Sequence, residues 1–352
     1  MWDWLANKDF ANYWIAAQLV LGGGIQDLFA DHASYFRHMQ AAFGADYPWH
    51  NWSYPPHYLL LIWPLGLIGY LPAMAVFLGL SLALYLGAAR AFLGGRFGRE
   101  AALLLPFVFS NLEHAQNGFL TGALFLGGLA LRGHRPLAAG CLFGLLTVKP
   151  QLGLMLALLL LIEGQWRVIL AGALATMALV GLSVLLFGAA PWLGYLQETL
   201  PYQSRVMMAG QGVFRAMMPS GFGGLYLLGL EGDLALRLHM LLAVPVFTLS
   251  LYGIWRSPDP QLRAVLAIVA TFVVTPYWLV YDFGPFAAAL IWLWRWLPRG
   301  RGLLALAALT PQLAMVSGGA GLPITPLILL LVWGLAFAQA MAARPMVAQR
   351  QP

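Results

Sequence analysis

PLAAGCLFGLLTVKPQLGLMLALLLLI, residues 136–162, contains two apolar runs, 136–146 and 152–162, separated by Thr147-Val148-Lys149-Pro150-Gln151. Neither run reaches the roughly 20 residues that a helix needs to cross a bilayer. An 11-residue helix rises about 16 Å, half the hydrocarbon thickness. Pro150 lacks an amide hydrogen and breaks a helix, so Lys149 sits at a turn. The stretch therefore reads as a pair of half-length helices that enters an apolar medium and returns. The pattern recurs at 101–109 and 118–131 around SNLEHAQN (110–117), and at 264–274 and 283–294 around TPYWLVYD (275–282). A fourth pair, 303–316 and 324–342, has the less polar turn SGGAGLPI. Four runs, 72–92, 167–188, 234–254 and 324–342, are each long enough to span.

The composition agrees. Of 352 residues, 61% are hydrophobic and only 9% charged, against about 45–50% and 25% in soluble domains. Such an excess of apolar surface aggregates in water but is stable in lipid. The 14 Trp and 13 Tyr suit two membrane–water interfaces. The class is all-α: a polytopic membrane protein whose short re-entrant helix pairs surround an outward-facing cavity. Residues 1–352 read as one transmembrane domain.

Several functions are excluded. The net charge of +6 is small for the length and no Lys/Arg block occurs, which argues against nucleic-acid binding. The single Cys141 allows neither an internal disulfide nor a cysteine zinc cluster. No Walker A loop, dinucleotide fingerprint, nucleophile elbow or HExxH pair is present. Nothing in the sequence calls for a metal or cofactor. The first 30 residues carry Asp3, Asp9 and Asp27 and lack a basic start, unlike a signal peptide.

If each short pair enters and returns on one side, the charges separate. One face collects Arg90, Arg96, Arg99, Arg132, Arg135, Arg167, Arg256, Arg263, Arg295, Arg299, Arg301, Arg344 and Arg350, with only Glu100, Glu163 and Asp259. The other has six basic residues and ten acids. The positive-inside rule then turns the polar tips away from the cytoplasm, giving a multi-pass protein of the inner (plasma) membrane with its cavity toward the exterior. Residues 1–56 hold no spanning run and read as amphipathic helices on the outer leaflet. Residues 57–70, interrupted by Pro64, Gly66 and Gly69, read as a re-entrant or interfacial helix. Residues 190–231 form a second outer segment.

Polar groups at membrane depth are costly unless they pair or line a wet cavity. Asp9 reads as a general base whose carboxyl is raised by apolar surroundings, or as a helix N-cap. Lys149 reads as a phosphate ligand or as a snorkelling lysine. Glu113, His114, Gln116 and Asn117 form either a sugar-binding tip or a plain loop. Tyr277 and Tyr281 suit an interfacial belt. Asp282 could order the cavity, contact a ligand or pair with Lys149. Arg205 and Arg215 could steer an anionic lipid. Tyr54-Pro55-Pro56 makes a rigid entry to the apolar run behind it.

Asp-Phe-x-x-Tyr-Trp (9–14), Tyr-Pro-Pro (54–56), Gln-Asn (116–117), Lys-Pro-Gln (149–151) and Thr-Pro-Tyr…Tyr-Asp (275–282) stand in an order that resembles bacterial glycosyltransferase family 87. These are polyprenol-phosphate-mannose-dependent mannosyltransferase-like enzymes of the GT-C class. The resemblance runs from residue 9 to about residue 296. It implies a GT-C-like bundle, a polyprenyl-phosphate hexose donor, a lipid or glycan acceptor, and membrane lipids as surroundings. It implies Asp9 as base and Lys149, helped by Arg205 and Arg215, as donor-phosphate ligands. Tyr13, Tyr54, Glu113, His114, Gln116, Asn117, Gln151, Tyr277 and Asp282 are then expected to line the cavity. The family usually has Gly where this chain has Ala115. Its Asp-Phe motif normally follows a transmembrane helix, whereas eight residues precede Asp9 here. The expectation is a start further upstream or an outer N-terminus without that helix. The function expected is inverting hexose transfer. A lipid or solute transporter, or a non-catalytic membrane subunit, is the alternative.

Overall fold

The structure is a computed structural model that describes residues 8–210 and 212–343. Residues 1–7 of the first outer segment, and Arg344 and Arg350 of the basic face, lie outside the described residues. Every regular element among the described residues is helical.

Four helices are long and apolar enough to span a membrane: Tyr70–Phe92, Trp166–Phe187, Gly232–Arg256 and Ile324–Ala342. They coincide with the four long apolar runs. Leu80, Leu185, Leu241 and Leu327 project outward from them, as side chains that lipid solvates. The serines on them are satisfied within the helix. Ser81 donates to the Phe77 carbonyl and Ser250 to the Val246 carbonyl, both at 2.6 Å. In hydrocarbon a polar group has no water to replace such a bond.

The short helices fill the middle. Pro260–Val274 and Gly284–Trp296 are buried almost around their whole circumference, as expected of helices apolar on every side. Pro136–Leu145 packs on Trp166–Phe187 through Gly140 and Gly144. A Cβ at Gly140 would lie 2.5 Å from Ala171 Cβ, and one at Gly144 2.6 Å from Ala175 Cβ. Lipid tails are as apolar as leucine, so association here comes from this close backbone approach.

At the far ends of the short helices from their tips, arginines pair with the few acids of the basic face. Arg132 binds Glu163 at 2.9 Å and the Pro260 carbonyl at 2.6 Å. Arg295 binds Glu100 at 2.8 Å and the carbonyls of Leu93 and Arg96.

Three elements differ from expectation. The run 303–316 is two helices, Arg301–Ala308 and Thr310–Gly319, meeting in a bend of 55°. Pro311 stands in the first turn of the second, where its missing amide hydrogen costs nothing. The helix Phe10–Gly22 does not lie on a surface. Phe10, Ala11, Tyr13, Ile15, Ala16, Ala17 and Leu19 are buried, so no broad polar face remains. The run 57–70 is broken into Pro56–Tyr58, Leu59–Ile62 and Trp63–Leu67. Its freed carbonyls are met by Phe10–Gly22: Gln18 Nε2 donates to Gly66 at 2.8 Å and Trp14 Nε1 to Ile68 at 3.0 Å. By contrast His32–Phe43 buries only Tyr35 and Met39 and so presents one buried side.

Gly144→Leu is expected to force apart Pro136–Leu145 and Trp166–Phe187 at a cost of about 1–3 kcal/mol or more. Thermal unfolding in detergent should show a lowered midpoint, while Gly181→Leu, where a Cβ meets nothing within 4 Å, should leave it unchanged.

Candidate functional site

The three polar tips and the first outer segment meet around one cavity of about 400 Å³. Asp9, Tyr13, Tyr54, Gln116, Lys149, Gln151, Tyr277 and Asp282 all line it. Sequence positions up to 273 residues apart thus share one site.

Gln116 organises one side. Its Oε1 accepts from the Asn117 amide at 3.1 Å and from the Tyr13 hydroxyl. An amide N–H can only donate, so the side-chain orientation is fixed. Its Nε2 therefore faces Asp9 and donates to Oδ2 at 2.8 Å. Tyr54 lies 2.9 Å from the Tyr13 hydroxyl and 3.3 Å from Gln116 Oε1. Asp9 occupies the N-cap position of Phe10–Gly22, but its carboxylate makes no cap bond and is turned instead to the cavity. Its Oδ1 lies 3.5 Å from His50 Nε2. Burial raises the Asp9 carboxyl, but the bonds and charge from His50 and the Gln116 bond outweigh it and hold Asp9 below its ordinary value.

Lys149 organises the other side. It does not snorkel. Its Nζ lies 2.6 Å from Asp282 Oδ1, with both side chains buried. The ammonium stands 5.1 Å from the Tyr281 ring centroid and 6.0 Å from that of Tyr54. Asp282 Oδ2 accepts the Leu279 amide at 3.1 Å. One ion pair therefore ties the 147–151 tip to the 275–282 tip.

The 110–117 tip is pressed against the same place. A Cβ on Gly118 would lie 1.7 Å from the Tyr281 carbonyl oxygen, so only glycine fits. Ala115 ends the helix Leu105–His114 at φ 49°, the left-handed region that glycine prefers. The alanine leaves the turn intact at the cost of this strain.

Five expected site residues stand away from the cavity lining. Glu113 is exposed. His114 Nδ1 donates to the Ser110 carbonyl at 2.8 Å. Asn117 is buried behind the wall and reaches the Tyr58 hydroxyl at 3.4 Å. Leu200, Gln203 and Val206 of the helix Leu200–Ala209 face the cavity, a spacing of three that turns Arg205 outward. Arg205 sits over the Tyr202 ring. Arg215 donates to the Gly210 carbonyl at 2.8 Å and covers the Tyr226 ring at 4.0 Å. Neither arginine is placed to hold a phosphate in the cavity.

The structure adds His50, Asn12, Asn51, Ser53 and Gln203 to the lining. Gln203 donates to Ser53 at 2.7 Å, and Trp49 to the Tyr202 hydroxyl at 3.0 Å, so the two outer segments close on each other. No spacing in the aromatic run YPWHNWSYPP (47–56) marked His50.

A helical membrane protein with a charged, hydrogen-bonded cavity among broken helices is built like a membrane enzyme or carrier. The family is then decided by sequence. The model of Glycosyltransferase family 87 matches residues 52–276, and the chain belongs to that family; it is a glycosyltransferase. No curated protein and no solved structure matches it. Tyr54, Gln116 and Lys149 lie inside the matched span. Asp9, His50 and Asp282 lie outside it and reach the same cavity through the fold.

Removing one partner of a buried ion pair strands the other charge, at about 3–5 kcal/mol. Asp282→Asn and Lys149→Met should each lower the unfolding midpoint sharply. The double variant Lys149→Met/Asp282→Leu should recover most of it while remaining inactive, as measured by thermal unfolding and transfer assay on the same samples.

Proposed function

We propose that the cavity transfers a hexose, mannose, from a polyprenyl-phosphate donor to a hydroxyl of a lipid or glycan acceptor at the outer face of the plasma membrane. The observation that carries this reading is the pairing of an ionised carboxylate, Asp9, with a fixed ammonium, Lys149, in one cavity bridged by Tyr54.

Asp9 takes the proton of the acceptor hydroxyl as that oxygen attacks the anomeric carbon. Gln116 occupies Oδ2, and Oδ1, with only the longer His50 contact at 3.5 Å, keeps a lone pair for the acceptor. The bond from the anomeric carbon to the phosphate oxygen breaks, and its electron pair leaves on the phosphate. Lys149 has three donors, and Asp282 engages one. The others meet the phosphate, whose growing charge they stabilise. Asp282 is a positioning residue for Lys149. With both its oxygens engaged, it is not free to form a covalent sugar intermediate. A single displacement with inversion at the anomeric carbon follows.

The depth of the site suits a lipid-linked donor. The helix Gly118–Leu131 runs 14 residues from the cavity to Arg132, about 20 Å, whereas the spanning helices have 19 to 25 residues. A site set below the outer surface lets the phosphate of a membrane lipid enter without leaving the bilayer. The basic face then lies toward the cytoplasm.

The test follows release of polyprenyl phosphate from polyprenyl-phosphate mannose by mass spectrometry, with a lipid extract of the source cells as acceptor. Wild type should release it. Asp9→Asn, folded by its unfolding midpoint, should be slower by about 10²–10⁴-fold. Undiminished release by Asp9→Asn would reject the base, and absence of release with mannose and glucose donors alike would reject the donor class.

A further inference from the structure

His50 has no role in the transfer described above, yet its ring lies directly against Asp9. Its Nδ1 lies 2.8 Å from the Pro48 carbonyl. A carbonyl only accepts, so Nδ1 carries a hydrogen. Nε2 is thereby left facing Asp9 Oδ1 at 3.5 Å. A neutral imidazole would point a lone pair at the carboxylate, which is repulsive. The imidazolium points an N–H at it, which is attractive. The Tyr47 ring at 5.2 Å backs the imidazole and holds its plane. Both members of the pair stay partly open to the cavity mouth, with side chains 15% and 27% exposed.

We propose that His50 is a positioning residue for the transfer reaction: as the imidazolium it keeps Asp9 ionised in its half-buried place and so sets the acid limit of activity. This rests on Asp9 being the base.

Other groups also surround Asp9. Lys8 carries a charge that acts on both Glu113 and Asp9. His114 acts on Asp9 only through space, its Nδ1 being 2.8 Å from the Ser110 carbonyl. Tyr47 from the first outer segment, Tyr70 from the first spanning helix, and Tyr277 and Tyr281 from the 275–282 tip also face it. Burial pushes the Tyr47 and Tyr281 phenols up, so they stay neutral and bring no charge. Gln116 donates a bond to Oδ2 but no charge. Burial alone would depress His50, but the Asp9 contact outweighs it and raises His50 above its ordinary value. The sign follows. A cation beside Asp9 lowers the pH at which the base protonates, and removing it raises that pH.

The experiment compares the pH dependence of kcat/KM for wild type and His50→Gln, with polyprenyl-phosphate mannose as donor. Glutamine keeps a donor near Oδ1 and loses the charge. The acid limb should move up by about one pH unit, whatever the height of the plateau. A uniform loss at every pH with an unmoved limb would mean that His50 only shapes the loop, and would overturn the proposal. A second readout needs no turnover. In ¹⁵N-histidine NMR titrations of the full chain, with His50 assigned through His50→Gln, its midpoint should fall by about one unit in Asp9→Asn; an unchanged midpoint would also overturn the proposal. Transfer that survives Asp9→Asn, by contrast, rejects the base itself.

Discussion

The ion pair of Lys149 and Asp282 is the contact on which the rest of the site depends. Two opposite charges 2.6 Å apart, away from water, are tolerable only while each has the other. Each sits on a turn between half-length helices, so the pair fixes two tips against each other. The third tip is held by backbone fit, with Gly118 against the Tyr281 carbonyl. Once these tips are set, Gln116 is placed, its amide orientation is forced by the Asn117 N–H, and Asp9 is held ionised at the opposite side. Each step satisfies a polar group that the surrounding apolar helices leave without water.

Stability and chemistry are therefore coupled through the same atoms. A free lysine at the cavity floor would bind phosphate more strongly but would be costly to bury. Pairing it with Asp282 fixes its position and leaves donors for the phosphate of the proposed donor. Asp9 faces the reverse demand. To serve as the proposed base it must be ionised and remain close enough to the mouth to meet an acceptor. Its partial exposure, with Gln116 on one oxygen and His50 near the other, meets both.

The spanning helices were legible because a run of about 20 apolar residues has no other stable home. The short pairs were legible from polar residues stranded between half-length runs, and the same logic marked Asp9, Lys149 and Asp282. What escaped was a matter of direction. Helix periodicity was not decisive for Leu200–Ala209, where Leu200, Gln203 and Val206 turn inward and carry Arg205 out. The burial of Phe10–Gly22 depends on the broken helix 56–67, whose open carbonyls it covers, and no local pattern announces a distant partner. The bend before Pro311 was readable from the proline itself. His50 lies in an aromatic loop with no periodicity, so only the fold reveals its neighbour.

The most direct measurement is a cryo-electron microscopy structure of the protein in lipid nanodiscs with a non-transferable phosphonate analogue of polyprenyl-phosphate mannose. The phosphonate should lie within hydrogen-bond reach of Lys149 Nζ, with the anomeric carbon turned toward Asp9 across Tyr54. A head group seated outside the cavity, against Arg205 or Arg215, or bound inside it with the anomeric carbon turned away from Asp9, would contradict the assignment of donor and base.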